Sequence, residues 1–294
     1  MGKLLPTDLI YNRDGGVYHL SLIPEQVADH IILVGDPGRV DVIAGLLDRI
    51  ESRTSNREFV CVTGTYKGNR VTALSTGIGT DNMEIVITEL DAMVSHPGKT
   101  VAGLEGGRIL RLIRVGTSGT IQKDIKPGTF VLSRSAVGLD GLLHFYRNSE
   151  GVRDTELEEA LSLALDYPAD LPVPYAVSAS PSLLSLFAGS RLFQGVTLSA
   201  PGFYAPQGRE VRLELRYPHL NKRFAAFRFN DQRILNYEME CSVLYGLSGM
   251  LGHEALTLCM VLANRATGEL YTEYSKGMKT LIRLVLDHLP FNGS

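Results

Sequence analysis

A chain of 294 residues, 44% of them hydrophobic, can bury a sizeable core as one large α/β domain or two small ones. Its formal net charge of −3 offers no basic footprint for nucleic acid, and no apolar run approaches the roughly 18 residues that a membrane-spanning helix needs. The opening M-G-K-L-L-P-T-D-L-I lacks a signal-peptide core, and Cys61, Cys241 and Cys259, in separate apolar segments without a C-x-x-C, read as reduced core thiols of a cytoplasmic protein.

Residues 1–22 are polar and turn-rich. Residues 31–34 form a short apolar strand that runs into G-D-P-G-R-V (35–40), and residues 40–47 continue as a helix. A glycine turn between strand and helix presents N–H groups to an anion at the helix N-terminus. Arg39 falls in the first helical turn, against the dipole preference. It is either an ordinary surface arginine or the partner of an anion held there. Residues 59–62 and 71–74 read as the arms of a β-hairpin with a Gly-Asn turn. S-T-G-I-G (75–79) is a second strand-to-loop passage, into a helix over 81–94 with Asp81 as N-cap candidate. Pro97-Gly98-Lys99-Thr100 carries the end of a P-loop signature. Met93 stands where the leading glycine belongs and a helix precedes it, so a nucleotide loop is set aside.

Residues 101–112, with Gly103, Gly106 and Gly107, read as a bend before the central strand. That strand, L-I-R-V (112–115), opens into G-T-S-G (116–119), whose composition reads as a tight loop suited to an anion. Arg114 inside an apolar run is costly without an anionic partner. A bound anion, a structural carboxylate or snorkelling from the strand end would each satisfy it. A strand over 130–137, a helix over 155–165, an extended stretch over 173–179, a short helix over 181–188 and a strand over 196–199 follow.

Residues 200–218 are loop chemistry, with Phe203 to stack on a planar ring and Gln207 and Arg209 to donate hydrogen bonds; a charged surface loop would look the same. I-L-N-Y-E-M-E (234–240) leads into an apolar helix over 241–251. Glu238 and Glu240 suit paired sugar hydroxyls, or a helix N-terminus, which does not require both. A buried strand (255–263) ends at Asn264-Arg265, and an amphipathic helix (272–289) follows. Strands and helices alternate with no repeat or linker. That argues for one α/β domain over 1–294, three-layered, with a central mixed β-sheet flanked by helices. The loops at Gly35, Gly77, Gly116, Phe203 and Glu238 then meet at one side of the sheet.

G-D-P-G-R-V, N-R-E-F (56–59), S-T-G-I-G, I-R-V-G-T-S-G, F-Y-A-P-Q-G-R and N-Y-E-M-E follow one another in this order between residues 17 and 265. Each is weak alone. The ordered set resembles the nucleoside phosphorylase family of the trimeric-type fold, most of all its uridine-cleaving members. The resemblance implies that Gly35, Arg39, Arg114 and Thr117 bind phosphate, with Arg57 reaching in from a neighbouring subunit. It implies that Met239 and Glu240 hold the ribose beside Thr117, with Glu238 nearby and His19 of the neighbour on the 5′-hydroxyl. Phe203 packs against the base, Gln207 and Arg209 read its pyrimidine edge, and Arg265 supports Arg209. Arg114, Gln207 and Arg209 are the groups expected to carry the catalysis. A homo-oligomer with shared sites follows, a dimer being the smallest complete unit and hexamers of dimers common among the uridine-type enzymes. No cofactor or metal is implied, inorganic phosphate being the co-substrate. Thr80-Asp81-Asn82 replaces a Gly-Pro-Ser-like segment and leaves open the monovalent cation site that some relatives build there.

Phosphorolysis replaces the base on C1′ by phosphate through an oxocarbenium-like transition state related to glycoside cleavage. Phosphate is the nucleophile, so guanidinium groups that orient the dianion take the place of a protein carboxylate. Donors on Gln207 and Arg209 would meet negative charge as it develops on the departing uracil. A purine leaving group is best protonated at N7, and related purine phosphorylases place an aspartate where this chain has Asn264-Arg265. A nucleosidase, which uses water, would not need the Arg39, Arg57 and Arg114 cluster. Two readings compete: a purine-type or broad nucleoside phosphorylase, and a non-catalytic nucleoside-binding protein on the same scaffold. The chain departs from the uridine pattern at Gly208, where a glutamate is usual, and in longer segments over 101–109 and 222–232.

Overall fold

Strand β1 (His30–Val34) is buried along its whole length and turns at Gly35 into helix α1 (Pro37–Ala44). Asp36 caps that helix by accepting from the Gly38 N–H at 2.9 Å, and Pro37 occupies its first turn. The helix therefore starts three residues before the expected 40–47, while Arg39 keeps its place in the first turn. The computed structural model describes residues 5–95 and 107–289. The P-loop-like run at 97–100 and the first half, 101–106, of the bend expected over 101–112 lie outside them, and the end of that bend is already strand, from Arg111.

Strands β2 (Arg49–Asn56), β3 (Phe59–Tyr66) and β4 (Asn69–Ser75) form an antiparallel meander. Its second turn centres on Lys67 and Gly68, both left-handed (φ 49° and 77°), one residue earlier than the Gly-Asn pair suggested. Strand β2 has no buried face, as befits the outermost strand of the sheet. Helix α2 (Thr80–Ser95) begins at Thr80, so Asp81 lies inside the first turn rather than capping it.

The largest departure from expectation is strand β5 (Arg111–Thr120), which runs straight through Gly116-Thr117-Ser118-Gly119. No loop interrupts it, because strand β11 (Glu254–Asn264) pairs with it in parallel from Arg111 to Thr120, with one irregularity between Val261 and Ala263. Strands β6 (Phe130–Gly138), β7 (Tyr175–Ser178), β8 (Phe193–Ser199), β9 (Arg228–Phe229) and β10 (Gln232–Glu238) complete an 11-stranded mixed sheet. Strand β10 pairs with both β8 and β5, so β5, β11, β6, β8 and β10 close on themselves into a small barrel.

Helices α3 (Thr155–Leu165), α4 (Pro181–Ser185), α5 (Leu220–Ala226), α6 (Cys241–Leu251) and α7 (Tyr274–His288) complete the fold. In α6 every residue from Cys241 to Ser248 is buried, the mark of a helix apolar on all sides. Helix α7 has no side-chain cap and is anchored by its apolar face. Leu281, Ile282, Val285 and Leu286 are fully buried there, each contributing about 1.5–3 kcal/mol. The cysteines are free, and burial lifts the Cys61 and Cys259 thiols to about 12.

Candidate active site

Strand β5 has β1 as its neighbour from Arg111 to Arg114, and β10 at Gly119 and Thr120. Between those pairings, along residues 115–118, a cavity of about 860 Å³ opens beside the strand. This is the point where the chain order of a sheet reverses and α/β proteins bind ligands. Arg114, Thr117, Ser118 and Gly119 line the cavity from β5, and Gly35 and Arg39 from the turn after β1. Phe203, Gln207 and Arg209 line it from the loop after β8, and Glu238, Met239 and Glu240 from the end of β10. Ten of the residues singled out from the sequence thus share one cavity. Of the loops expected to converge, the one at Gly116 is strand instead, and Glu238 is the last residue of β10.

Glycine is required at 116 for a reason other than a turn. Side chains two apart on a strand share a face, and the Arg114 guanidinium folds back over Gly116. A Cβ there would overlap it and stand 2.9 Å from Cys259 Sγ. Arg114 is 4% exposed and pairs with two carboxylates, Glu240 and, at 3.2 Å, Glu238. Burial works against its charge, yet Glu240 and Glu238 together hold its pKa above the ordinary range. Its Nε and the Ser118 hydroxyl are buried with no hydrogen-bond partner among the described residues. Such groups are costly unless something completes them.

The two glutamates divide the explanations that the sequence leaves open. Glu238 serves the start of α6: its carboxylate accepts from the N–H of Glu240 at 2.9 Å, from Cys241 at 3.0 Å and from Ser199 Oγ at 2.6 Å. Glu240 is thereby released from capping and reaches across the cavity wall, accepting from the Gly79 N–H at 2.8 Å and from Arg114. Burial raises the Glu238 carboxyl to about 7, against the pull of Arg114.

Arg39 donates through Nε to Tyr274 Oη at 2.8 Å and through Nη1 to the Val115 carbonyl at 3.2 Å. Four residues further along β5, about 13 Å at 3.3 Å per residue, Gly119 lies against Arg209 and Arg265. The strand is therefore a ruler with guanidinium groups at both ends. At the far end Arg209 lies 3.8 Å over the Phe203 ring and donates to the Phe203 carbonyl and to Gln207 Oε1, each at 2.5 Å. Arg265 does not line the cavity; it donates to the carbonyls of Gln207 and Gly208 from behind. Burial first, and then Arg265, lowers Arg209 to about 10.

His19 and Arg57 do not line this cavity and meet on a patch of their own. Arg57, left-handed at φ 53°, places its guanidinium 5.5 Å over the Tyr18 ring. His19 Nδ1 is 2.6 Å from Glu89, a buried carboxylate that also accepts from the His19 and Leu20 N–H groups. Asn56 donates to the His19 carbonyl at 2.8 Å, tying the two residues together.

Sequence reasoning misses Glu58, Asn82, Tyr237 and Tyr274. Asn82 donates to Glu58 at 3.1 Å on the cavity wall. Their only sequence signal is position beside a glycine turn or a strand end. Asn264, which stands where the resemblance would put a purine enzyme's acid, is fully committed. It donates to the Gln122 and Ile125 carbonyls and accepts from the Ala266 and Thr267 N–H groups. Among the described residues no cluster of three or more His, Cys, Asp or Glu could hold a metal, and no helix is long and apolar enough to cross a membrane.

A family profile described as the phosphorylase superfamily matches residues 29–287. A uridine phosphorylase of Thermococcus kodakarensis is 32% identical over 273 residues, 91% of this chain and 84% of that protein. A guanosine phosphorylase of Halorubrum lacusprofundi is 28% identical over 87% of this chain and 83% of its own. The crystal structure of a Trypanosoma brucei nucleoside phosphorylase, described as showing uridine phosphorylase activity, superposes with a TM-score of 0.82 at 29% identity. That match covers 96% of this chain and 99% of the other.

Proposed function

This chain belongs to the phosphorylase superfamily, and from that premise we propose that it cleaves pyrimidine nucleosides, uridine foremost, by phosphorolysis. It is a nucleoside phosphorylase. The base is the finer step within that class, since its relatives include a uridine phosphorylase at 32% identity and a guanosine phosphorylase at 28%.

The observation that carries the pyrimidine reading is the arrangement along β5. Arg39 and Arg114 stand at one end, Glu240 beside them, and Phe203, Gln207 and Arg209 at the other. Phosphate held by Arg39, Arg114, Thr117 and the Gly35 backbone would approach C1′ from beneath the sugar. The unpartnered Arg114 Nε and Ser118 hydroxyl supply donors in reserve for it. Glu240 and Met239 would hold the ribose, with Glu238 fixing the turn between them. Phe203 would pack on the base while Gln207 and Arg209 donate to the uracil oxygen and nitrogen as they take up charge. The position where the resemblance would put a purine enzyme's acid holds Asn264, an amide tied into its turn that has no proton to give to a purine N7.

The placement of His19 and Arg57 away from their own chain's cavity supports a homo-oligomer in which each serves a neighbour's site. A dimer would be the smallest complete unit.

The test is phosphate-dependent base release from uridine, thymidine, inosine and adenosine. Uridine cleavage that requires phosphate and falls about 100- to 1000-fold in Arg209→Ala is the expected result. Inosine turnover matching uridine would overturn the pyrimidine reading in favour of a purine-type or broad enzyme. Nucleoside binding without base release would overturn catalysis altogether.

A further inference from the structure

Behind the base-reading loop lies a second cavity, of about 240 Å³. It is separated from the first by the single helical turn Ala205–Gln207. Tyr237 lines both cavities, and Asn221, the second residue of α5, lines the rear one. The sequence marks only the later part of α5, from residue 222, as belonging to an unusually long segment, and Asn221 lies just before it.

Asn221 bridges the two walls. Its Nδ2 donates to the Gln207 carbonyl at 3.1 Å, and its Oδ1 accepts from the Tyr237 hydroxyl at 2.8 Å. The Gln207 carbonyl can only accept, so the amide nitrogen must face it and the amide oxygen must face the phenol. Tyr237 is 1% exposed, and a hydroxyl buried that deeply needs a partner. The same Gln207 carbonyl accepts from Arg265, which also holds the Gly208 carbonyl at 2.8 Å. Both lone pairs of one carbonyl are thus engaged, Arg265 on one and α5 on the other.

Gly208 is shaped by the same contact. It is left-handed at φ 69°, and a Cβ on it would overlap the Asn221 amide. Only glycine lets α5 come this close.

We infer that Asn221 is a positioning residue for base recognition, clamping the Gln207 backbone between α5 and Arg265 and so setting where the Gln207 and Arg209 side chains meet the base. The inference rests on the proposed role of those two residues. Arg209 occupies the Gln207 side-chain oxygen, which leaves the Gln207 amide NH₂ as the free donor. A backbone that drifts moves both donors together. A displacement of about 1 Å at a group remote from the chemistry can cost about 100-fold.

The experiment compares wild type, Asn221→Ala and Asn221→Asp in steady-state phosphorolysis of uridine and inosine, with a thermal melt of each. Asn221→Asp retains the size and the acceptor for Tyr237 but has no donor for the Gln207 carbonyl. Both variants should raise the uridine KM and shift the ratio of kcat/KM between the two nucleosides by about 10- to 100-fold. The phosphate KM should stay close to wild type, and each melt should remain a single cooperative transition, lowered by a few degrees in Asn221→Ala, which leaves the Tyr237 hydroxyl without its partner. An unchanged nucleoside KM and ratio in either folded variant, or a phosphate KM that rises in parallel, overturns the inference. The wild-type preference alone judges the uridine reading. A wild type that favours inosine sinks that reading, while a base-selective loss in the variants still upholds the role of Asn221.

Discussion

Arg39 and Tyr274 meet across 235 positions of sequence, the arginine Nε donating to the phenol oxygen at 2.8 Å. With Nη1 on the Val115 carbonyl, two of the three guanidinium nitrogens are held from the protein side, which leaves Nη2 for the cavity. Tyr274 opens α7, the helix whose apolar face packs on β11 and β5. The C-terminal helix therefore braces the phosphate end of the proposed site.

Tyr274→Phe removes the brace and nothing else. A hydrogen bond to a charged group contributes about 1.5–3 kcal/mol, and part of that loss passes to phosphate through a less ordered Arg39. The phosphate KM should rise about tenfold with the nucleoside KM unchanged. Initial-rate kinetics with each substrate varied in turn would show it. Equal rises in both constants would mean a general loosening instead.

Gly116→Ala tests the fold-back of Arg114. The added methyl meets the Arg114 guanidinium and Cys259 Sγ, both buried, so that Arg114 has to move. Overpacking of this kind costs about 1–3 kcal/mol, and here it also pushes Arg114 off Glu240. A denaturant melt should show the loss of stability, and phosphorolysis should fall further than the melt alone explains. A fully active variant would show that Arg114 does not need this position.

His19 beside Glu89 and Arg57 over Tyr18 belong to a patch separate from their own cavity. If they complete a neighbour's site, two inactive variants should rescue one another. His19→Ala chains keep Arg209, and Arg209→Ala chains keep His19. Refolded together at random into isologous dimers, they should recover about a quarter of the wild-type sites. Mixtures no more active than their components would show that each chain works alone.

Much of this is legible in the sequence where local chemistry decides. Helix α3 runs over its expected residues because Asp154 caps it, and α6 ends at Gly252, left-handed at φ 79°. G-T-S-G misleads because glycine marks both turns and close approaches. What makes it strand is β11, far off in sequence, and what makes Gly116 necessary is Arg114 on the same face. Strand β2 escapes notice because an exposed edge strand carries no apolar alternation. Helix α5 hides because only Phe224 in it is buried. Asn221 and Tyr274 act through partners outside any local window. The cavity residues are recognisable as motifs, but the division of labour between Glu238 and Glu240 depends on where α6 begins.

That division predicts that anion binding at the proposed site depends on pH. Glu238 is fully buried, and burial raises its carboxyl from 4.5 to about 7, with Arg114 pulling the other way and Glu240 adding to the rise. The groups around it are Arg114 from β5, Ser199 from β8, and Glu240 and Cys241 at the start of α6. Because the folded value lies above the unfolded one, its contribution to stability is present in full below about 4.5 and is lost as pH rises through about 7. The same ionisation adds a negative charge beside Arg114. At about 6 Å and an effective dielectric of about 20, a unit charge acts with up to about 3 kcal/mol. Sulfate, which does not titrate in this range, should therefore compete with phosphate at least severalfold better at about pH 6 than at about pH 8. Glu238→Gln should flatten that dependence while weakening the start of α6. A sulfate inhibition constant equally flat in the wild type would mean that Glu238 is already ionised at the lower pH, held so by Arg114.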